Sequence, residues 1–485
     1  VDTERIEVAL AALQHKLDGQ AEQARFYERY YDGDHPLPAG PQKAHEAYWR
    51  LLRMSRSNWM ALVVDAVTER LKVDGFRFGD VEGADGDAWR MWQRNELDAD
   101  SGLVHDTATT TGSAFVIVWA DGSDASTPEI TVEHPAEVAV VYEPGSKKRR
   151  AAALKEWRDD DGFWMATLYA PDGIYKFVSH SKSDAGPPQP KRWERREVPG
   201  EPWPLHNPLG VVPVVEFYNN PKMRSGGRSE LMGITDIQDR INETLFNRLL
   251  AAQFAAFRQK WVTGMEIPVD PLTGAPVEPF KVAVDRVLMA EDSDVRFGEF
   301  SESNLQGYIN SVESDIQHLA AITRTPPHYL LGSSGSFPSG DSLKATETGL
   351  VAKVRRRQVS HGESWEAVVR LGMAVLSDPR ASDESGEVIW HDPESRSQGE
   401  LVDALVKMGT LGVPNEVLWQ RWGASPQEVE RWQQMRASAD LFGPQAGPQV
   451  TVDSPVTVNV PPRSASTKTI QRDRAGNMVG IIEGP

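Results

Sequence analysis

Apolar residues at helical spacing open the chain. Ile6, Leu10, Leu13 and Leu17 recur every three to four positions and predict an amphipathic helix. Tyr27, Tyr30, Tyr31 and the turn chemistry of Asp32-Gly33-Asp34-His35-Pro36 close that segment. Residues Trp59 to Leu71 predict a second amphipathic helix, and residues 103–112 the end of another, stopped by Gly112, so residues 1–100 read as mainly helical. From Phe115 the period shortens to two. The runs 115–121, 129–134, 137–144, 151–157, 164–169, 174–178 and 211–217 are short, β-rich and separated by turn residues. Asp121-Gly122, Asp161-Gly162 and Asp172-Gly173 read as hairpin turns, which predicts a mostly antiparallel region over 113–218.

The block from Gly233 to Ser377 is helical again. Ile234, Ile237, Ile241, Leu245 and Leu249 form one stripe, and the helix is expected to reach Trp261 before Gly264 and Pro268 break it. Residues 265–302 read as a compact linker with strand-like stretches at 281–284 and 286–290; nine acidic residues face only Lys281, Arg286 and Arg296. A second helix is expected near Ser303, where Ser303 and Gln306 fit a capping box, with Ile309, Val312, Ile316 and Leu319 as its seam and Pro326-Pro327 as its end. A Gly/Ser loop follows at 332–341, then a third long helix from Ser342 to Leu376. Residues 397–438 predict a small helical subdomain with capping boxes at Ser397/Glu400 and Ser425/Glu428, the second with Pro426 at the first helical position. Residues 441–485 hold 6 Pro and 5 Gly and read as a mostly disordered tail. No repeat of 20–50 residues is evident.

Composition narrows the function classes. The 485 residues contain no cysteine, which excludes disulfides, thiolate metal sites and a cysteine nucleophile. The net charge of −18 argues against tight DNA binding, because phosphate contacts are made by cations. It is compatible with plain solubility or with a surface past which DNA slides. Val1 to Gln20 mixes charged and apolar residues unlike a signal peptide. Apolar runs such as Val211–Val215 fall far short of the roughly 18 residues of a membrane span. The expectation is a soluble protein made in a cytoplasm, with no membrane partner.

Candidate chemistry is sparse. Gly335, Gly340 and Ser342 have the spacing of a phosphate-binding loop, but Asp341 stands where the lysine is required and would repel phosphate. Asp32, Asp34 and His35 are metal ligands by type and turn residues by context. His391-Asp392 and Asp159-Asp160-Asp161 are likewise isolated, the latter at a hairpin tip, and no Gly-x-Ser-x-Gly or HExxH motif occurs. Lys353, Arg355, Arg356 and Arg357 form the sharpest basic cluster, read either as channel phosphate contacts or as a solvated face or intersubunit ion-pair network. Two long helices joined by an acidic linker fit an ordinary bundle as well as a ring whose neighbours cover their flanks.

The order of segments resembles the tailed-bacteriophage portal proteins of the SPP1-like family. The matching pieces are HNPLGVVPVVEFYNNP at 206–221, GGRSEL at 226–231, DIQDRINETLFNRL at 236–249, SDIQHLAAITRTPPHYL at 314–330 and SGDSLKATETGL at 339–350. The resemblance covers roughly residues 20–430. It implies an α+β portal-type fold: a wing over 1–232 with its β-rich region, stem helices at 233–261 and 303–329, a small α/β clip at 262–302, a tunnel loop at 330–341, a long wing/channel helix at 342–377, a helical crown at 378–440 and the tail.

The resemblance further implies a homo-oligomeric ring of about twelve subunits at one capsid vertex. Double-stranded DNA would be packaged and ejected through it, without cofactor or catalysis. The implied partners are the large terminase, a head–tail connector, the major capsid protein, scaffold and the DNA itself. Tunnel-loop residues would be Gly332, Ser333, Ser334, Gly335, Ser336, Phe337, Pro338, Ser339, Gly340 and Asp341. Partner docking at the clip would involve Glu278, Lys281, Asp285, Arg286, Glu291, Asp292 and Asp294. A minor capsid or head–tail adaptor protein is the alternative from another class; a hydrolase or nuclease with its site in the β region is a third.

Overall fold

A computed structural model describes residues 3–38, 46–78, 84–122, 124, 126–179, 191–223, 226–256, 260–264, 294–299, 304–331, 340–394, 398–424, 426–442, 468–472 and 478–483. In chain order the elements are α1 (Thr3–Tyr31), α2 (Glu46–Met54), α3 (Met60–Thr68), β1 (Val73–Arg77), α4 (Gly86–Arg94), α5 (Leu97–Thr111), β2 (Ser113–Ala120), β3 (Pro128–Glu133), β4 (Val138–Tyr142), β5 (Arg150–Arg158), β6 (Trp164–Tyr169), β7 (Gly173–Ser179), β8 (Glu194–Arg195), β9 (Leu205–His206) and β10 (Val214–Tyr218). Then come α6 (Thr235–Ala256), β11 (Lys260–Thr263), β12 (Arg296–Glu299), α7 (Gln306–Thr323), α8 (Pro327–Leu331) and α9 (Gly340–Val375). A 3-10 turn at Pro379–Ser382, β13 (Glu387–Trp390), α10 (Gln398–Thr410), α11 (Asn415–Trp422), α12 (Pro426–Phe442), β14 (Lys468–Arg472) and β15 (Met478–Glu483) complete the chain. Two compact units divide at Arg431/Trp432.

The period-2 region makes two antiparallel sheets. One has the order β10-β2-β3; the other runs β4-β5-β6-β7-β8, with β9 on β7. Alternation along β2 decides the layering. Phe115 and Ile117 join Val138, Val140 and Ala153 of the larger sheet, whereas Ala114, Val116 and Val118 face Trp365, Val368 and Val369 of α9. The outer face of the larger sheet is closed by the stripe Ile6, Leu10, Leu13 and Leu17 on α1, which packs on Leu154, Ala166, Leu168 and Tyr175. A separate core joins Tyr27 and Tyr30 to Met60, Val63 and Val64 of α3, Ile241 of α6 and Ile316 and Leu319 of α7.

Several boundaries differ from the sequence expectation. The first helix of the central block stops at Ala256 and does not reach Trp261: Lys260–Thr263 pairs antiparallel with Arg296–Glu299 as a β ladder. Gly264 turns the chain there at φ +84, and a Cβ would lie 2.5 Å from Asp294 O. The second helix starts at Gln306, whose N–H donates to Asn304 Oδ1 at 2.9 Å, while its side chain bonds Asn310. Ser303 lies outside the described residues, as do Ser397 and Ser425 of the other two capping boxes. That helix ends on left-handed Arg324, whose N–H donates to Ala320 O, ahead of the prolines. The long third helix begins at Gly340, two residues early. In the Asp172-Gly173 hairpin the turn residues are Pro171 and Asp172, and Gly173 already bonds Ala170 as a strand residue.

Strands also form where none was expected. The region 1–100 contains β1, and 378–390 is not helical beyond its short turn but supplies β13, which pairs antiparallel with β1. The hairpin β14–β15 falls inside the segment expected to be disordered. The strand-like stretches at 281–284 and 286–290 lie outside the described residues.

His105 on α5 and His361 on α9 stack at 5.3 Å inside the main core, fully buried. His105 Nε2 accepts from Trp365 Nε1–H at 3.0 Å, and neither nitrogen of His361 has a partner among the described residues. Burial holds His105 down to about 4 and His361 well below its usual value of 6.5. Folded-state values below the unfolded value mean stability is full above pH 6.5 and is lost as pH falls, because the unfolded chain takes up protons first. For His105 the loss at pH 5 is about 2 kcal/mol. Thermal melting at pH 7.5 and pH 5 should show a smaller acid-side drop for His361→Leu than for the natural chain.

Candidate functional site: the root of the paired helices

The segment between β10 and α6 is laced onto the end of α5. Gly112 caps α5 at φ +106, and Gly227 passes so close that a Cβ would lie 1.9 Å from Gly112 O. Only glycine fits there. Asn219 N–H donates to Gly112 O at 3.0 Å, Arg228 N–H to Asn219 O at 2.7 Å, and Glu230 N–H to Thr109 O at 2.9 Å. Ser229 Oγ donates to Thr110 O and accepts from Leu231 N–H.

This lacing aims Glu230 at α9. Its carboxylate accepts from Lys353 Nζ at 3.1 Å and from Arg357 Nη2 at 2.9 Å, all three side chains being buried. Lys353 also donates to Thr323 O at 2.6 Å, an otherwise orphaned carbonyl of the last turn of α7. One carboxylate therefore ties together the end of α5, the lead-in to α6, the end of α7 and the middle of α9. Burial raises the Glu230 carboxyl, but Lys353 and Arg357 outweigh it and hold it below its usual range.

Farther along, Arg240 on α6 grips Asp315 on α7 with two bonds, Nε–Oδ2 3.0 Å and Nη2–Oδ1 2.7 Å. Tyr30 Oη donates to Asp239 at 2.8 Å. His35, raised above as a metal ligand, is buried and structural. Asn242 Nδ2–H donates to its Nδ1 at 3.1 Å, so Nε2–H donates to Tyr30 O at 3.0 Å. Asn242 Oδ1 accepts from Ser57 N–H and Gln238 Nε2, and Gln238 Oε1 accepts from Trp59 N–H. Asp34 pairs with Arg29 and Arg56. Asp32 adds no further ligand, since no cluster of three metal-ligating side chains exists among the described residues.

The other singled-out residues are dispersed. The basic run 353–357 is not one patch. Lys353 and Arg357 point inward to Glu230, four positions apart on one helix face, while Arg355 pairs with Glu394 at 2.6 Å and Arg356 is exposed. His391 Nδ1 meets Asp74 Oδ2 at 2.9 Å across the β1–β13 pair. Asp159 accepts from Phe163 N–H at its hairpin tip. Gly332 to Ser339, with Glu278, Lys281, Asp285, Arg286, Glu291 and Asp292, lie outside the described residues. Gly340 and Asp341 open α9 and are not loop, and Asp294 sits at the turn into β12.

A cavity of about 500 Å³ beside the β region is lined by Lys16, Ser113, Tyr142, Lys147, Tyr218 and Lys222. The carboxyl beside it, Glu216, is buried and pushed up to about 7, and both Tyr142 and Tyr218 hydroxyls donate to it. No histidine lines this cavity among the described residues.

The family model described as "Phage portal protein, SPP1 Gp6-like" matches residues 10–440, from α1 through α12. The chain belongs to the SPP1 Gp6-like phage portal proteins. It is 28% identical to the portal protein of Mycobacterium phage D29 over 78% of this chain and 79% of that protein. Against the portal protein of Mycobacterium phage L5 it is 28% identical over 83% of this chain and 84% of that protein. Among solved structures, a chain from the virion of a native gene transfer agent particle overlaps at a TM-score of 0.43 with 12% identity, covering 78% of this chain and 92% of that one. A chain from the neck of an empty gene transfer agent particle overlaps at 0.41 with 10% identity, covering 80% and 96%. The portal role places the chain in the phage particle, and the family is one of structural proteins. No helix among the described residues is long and apolar enough to cross a membrane.

No local sequence signal marked Glu230, because its partners lie more than 120 residues away. The spacing of Lys353 and Arg357 was the available clue. Replacing Glu230 with Gln strands two buried cations and should cost about 3–5 kcal/mol, read as a lower Tm. Its folded pKa is depressed, so its contribution is present above the usual 4.5 and is lost as pH falls through the lowered value. That acid transition should disappear in Glu230→Gln.

Proposed function

We propose that the chain assembles into a closed ring of about twelve copies that conducts double-stranded DNA through one capsid vertex, inward in packaging and outward in ejection. Within it, α6 and α7 act as the stem, the β11–β12 ladder with the linker 265–293 as the clip, the sheets with α1–α5 as the wing, 332–339 as the tunnel loop, and α10–α12 as the crown. The observation that carries this reading is the anchoring of both ends of the α6–ladder–α7 arm, through Glu230, Lys353 and Thr323, to the long helix α9. A force applied along the arm is thereby passed to the body. Apolar side chains near this root stay exposed in the single chain, with Met232 at 52%, Ile322 at 61% and Val359 at 71%. A neighbouring copy would cover them.

The net charge of −18 suits a conduit, since few phosphate contacts means little affinity to stall moving DNA. The chain performs no catalysis in this reading: the large terminase docks at the clip and supplies ATP hydrolysis, a head–tail connector replaces it after filling, and scaffold and the major capsid protein surround the wing.

Native mass spectrometry should read a closed ring; monomers at every concentration overturn it. Deleting residues 333–340 should leave ring mass unchanged and abolish packaging in a phage complementation assay. Unimpaired packaging overturns the tunnel-loop role.

A further inference from the structure

The cavity beside the β region is walled by four segments of one chain: α1 through Lys16 and Gln20, the end of α5, the β4–β5 hairpin through Tyr142 and Lys147, and the stretch after β10 through Tyr218 and Lys222. Hydrogen bonds fix these walls. Lys147 Nζ donates to Met223 O, Lys222 N–H to Gly226 O at 2.8 Å, and Gln20 Nε2 to Val138 O at 3.1 Å. Three lysines line the cavity and, among the described residues, no aspartate or glutamate does. That runs against the net charge of −18. The buried carboxyl nearby, Glu216, is engaged by the hydroxyls of Tyr142 and Tyr218. The Lys222 side chain has no ion pair among the described residues. The hairpin extends the cationic surface, since Lys147, Lys148, Arg149 and Arg150 are consecutive. Arg149 is matched by Glu143 at 2.9 Å, while Arg150 keeps a buried Nε without a hydrogen-bond partner among the described residues.

We propose that this cavity takes a carboxylate side chain from an acidic peptide segment of a partner protein, with an apolar residue beside the carboxylate. Charge and size select that occupant. Lysine ammonium groups around an enclosed space call for an anion at hydrogen-bond distance. The volume of about 500 Å³ has the size of a small-ligand pocket and holds a few side chains. A DNA duplex carries its phosphates on a rigid rod. It can meet the exposed Lys147 and Lys222 at the rim but cannot follow the cavity to the half-buried Lys16. Pro135, Pro221 and Met223 supply the apolar part of the wall, and Met223 is 87% exposed in the single chain. An acidic partner is repelled by most of this acidic molecule and steered to the cationic cavity, which fixes where it lands. The site is complete within one chain and does not depend on the ring.

The test is fluorescence anisotropy on the full chain at about 0.15 M salt, where the screening length is about 8 Å. The probe is a fluorescein-labelled pentapeptide of four glutamates around a central phenylalanine, set against a labelled short DNA duplex. Lys147 and Lys222 are exposed, so reversing either charge leaves the core intact. Peptide affinity is expected to fall about tenfold in Lys147→Glu and in Lys222→Glu, the loss of one charge-assisted bond. Lys148→Glu is the control: the same change on the same hairpin, at an exposed residue that does not line the cavity. Its affinity should fall less than about threefold, since the charge is screened by solvent. An equal loss in Lys148→Glu overturns the cavity as the site. Duplex binding tighter than peptide binding, and weakened by the same two reversals, assigns the lysines to DNA and overturns the peptide. A change of oligomeric mass in Lys222→Glu assigns the cavity to a second copy and likewise overturns it. No peptide binding by the natural chain overturns the proposal outright.

Discussion

A carboxylate buried between two cations is tolerable only when all three charges are held at hydrogen-bond distance, since each alone would carry a desolvation penalty of several kcal/mol. Glu230, Lys353 and Arg357 meet that condition. Much of the helical architecture depends on it. Glu230 is fixed by backbone bonds to the end of α5, and Lys353 carries the connection on to the last turn of α7. Four elements distant in sequence are thereby held in one register. Loosening the carboxylate would free the arm formed by α6 and α7 from its seat on α9.

Around that root the interior polar groups are structural. His35 and Asn242 bond each other and neighbouring backbone, and Arg240 and Asp315 clasp the two helices of the arm. His105 and His361 sit neutral in the aromatic core between α5 and α9. Two acid-sensitive elements result with separated windows, the histidine pair below pH 6.5 and the Glu230 cluster below 4.5.

The sandwich explains how a strongly acidic chain remains ordered. Two sheets share one apolar interface through Phe115, Ile117, Val138 and Val140, α1 closes one outer face and α9 the other. Of the carboxylates buried on these strands, Glu133 pairs with Lys155 and Glu156 with Lys191.

Periodicity alone determined the helical stripe on α1, seven strands of the two sheets, the alternation along β2 and the sequence of long helices through the centre. Each depends on residues a few positions apart, and those contacts are written locally. Segment order was also enough to reveal the family. What only the tertiary structure decided depends on partners far along the chain. β1 and β13 are short, and each becomes a strand by pairing with the other across more than 300 residues. Trp261 leaves the helix because Arg296–Glu299 offers it a ladder. The run at 353–357 reads as a single basic cluster in one dimension; folded, Lys353 and Arg357 turn inward to Glu230 while Arg355 and Arg356 stay outside. Charge type is local, but its burial is set by which distant carboxylate the fold brings to it.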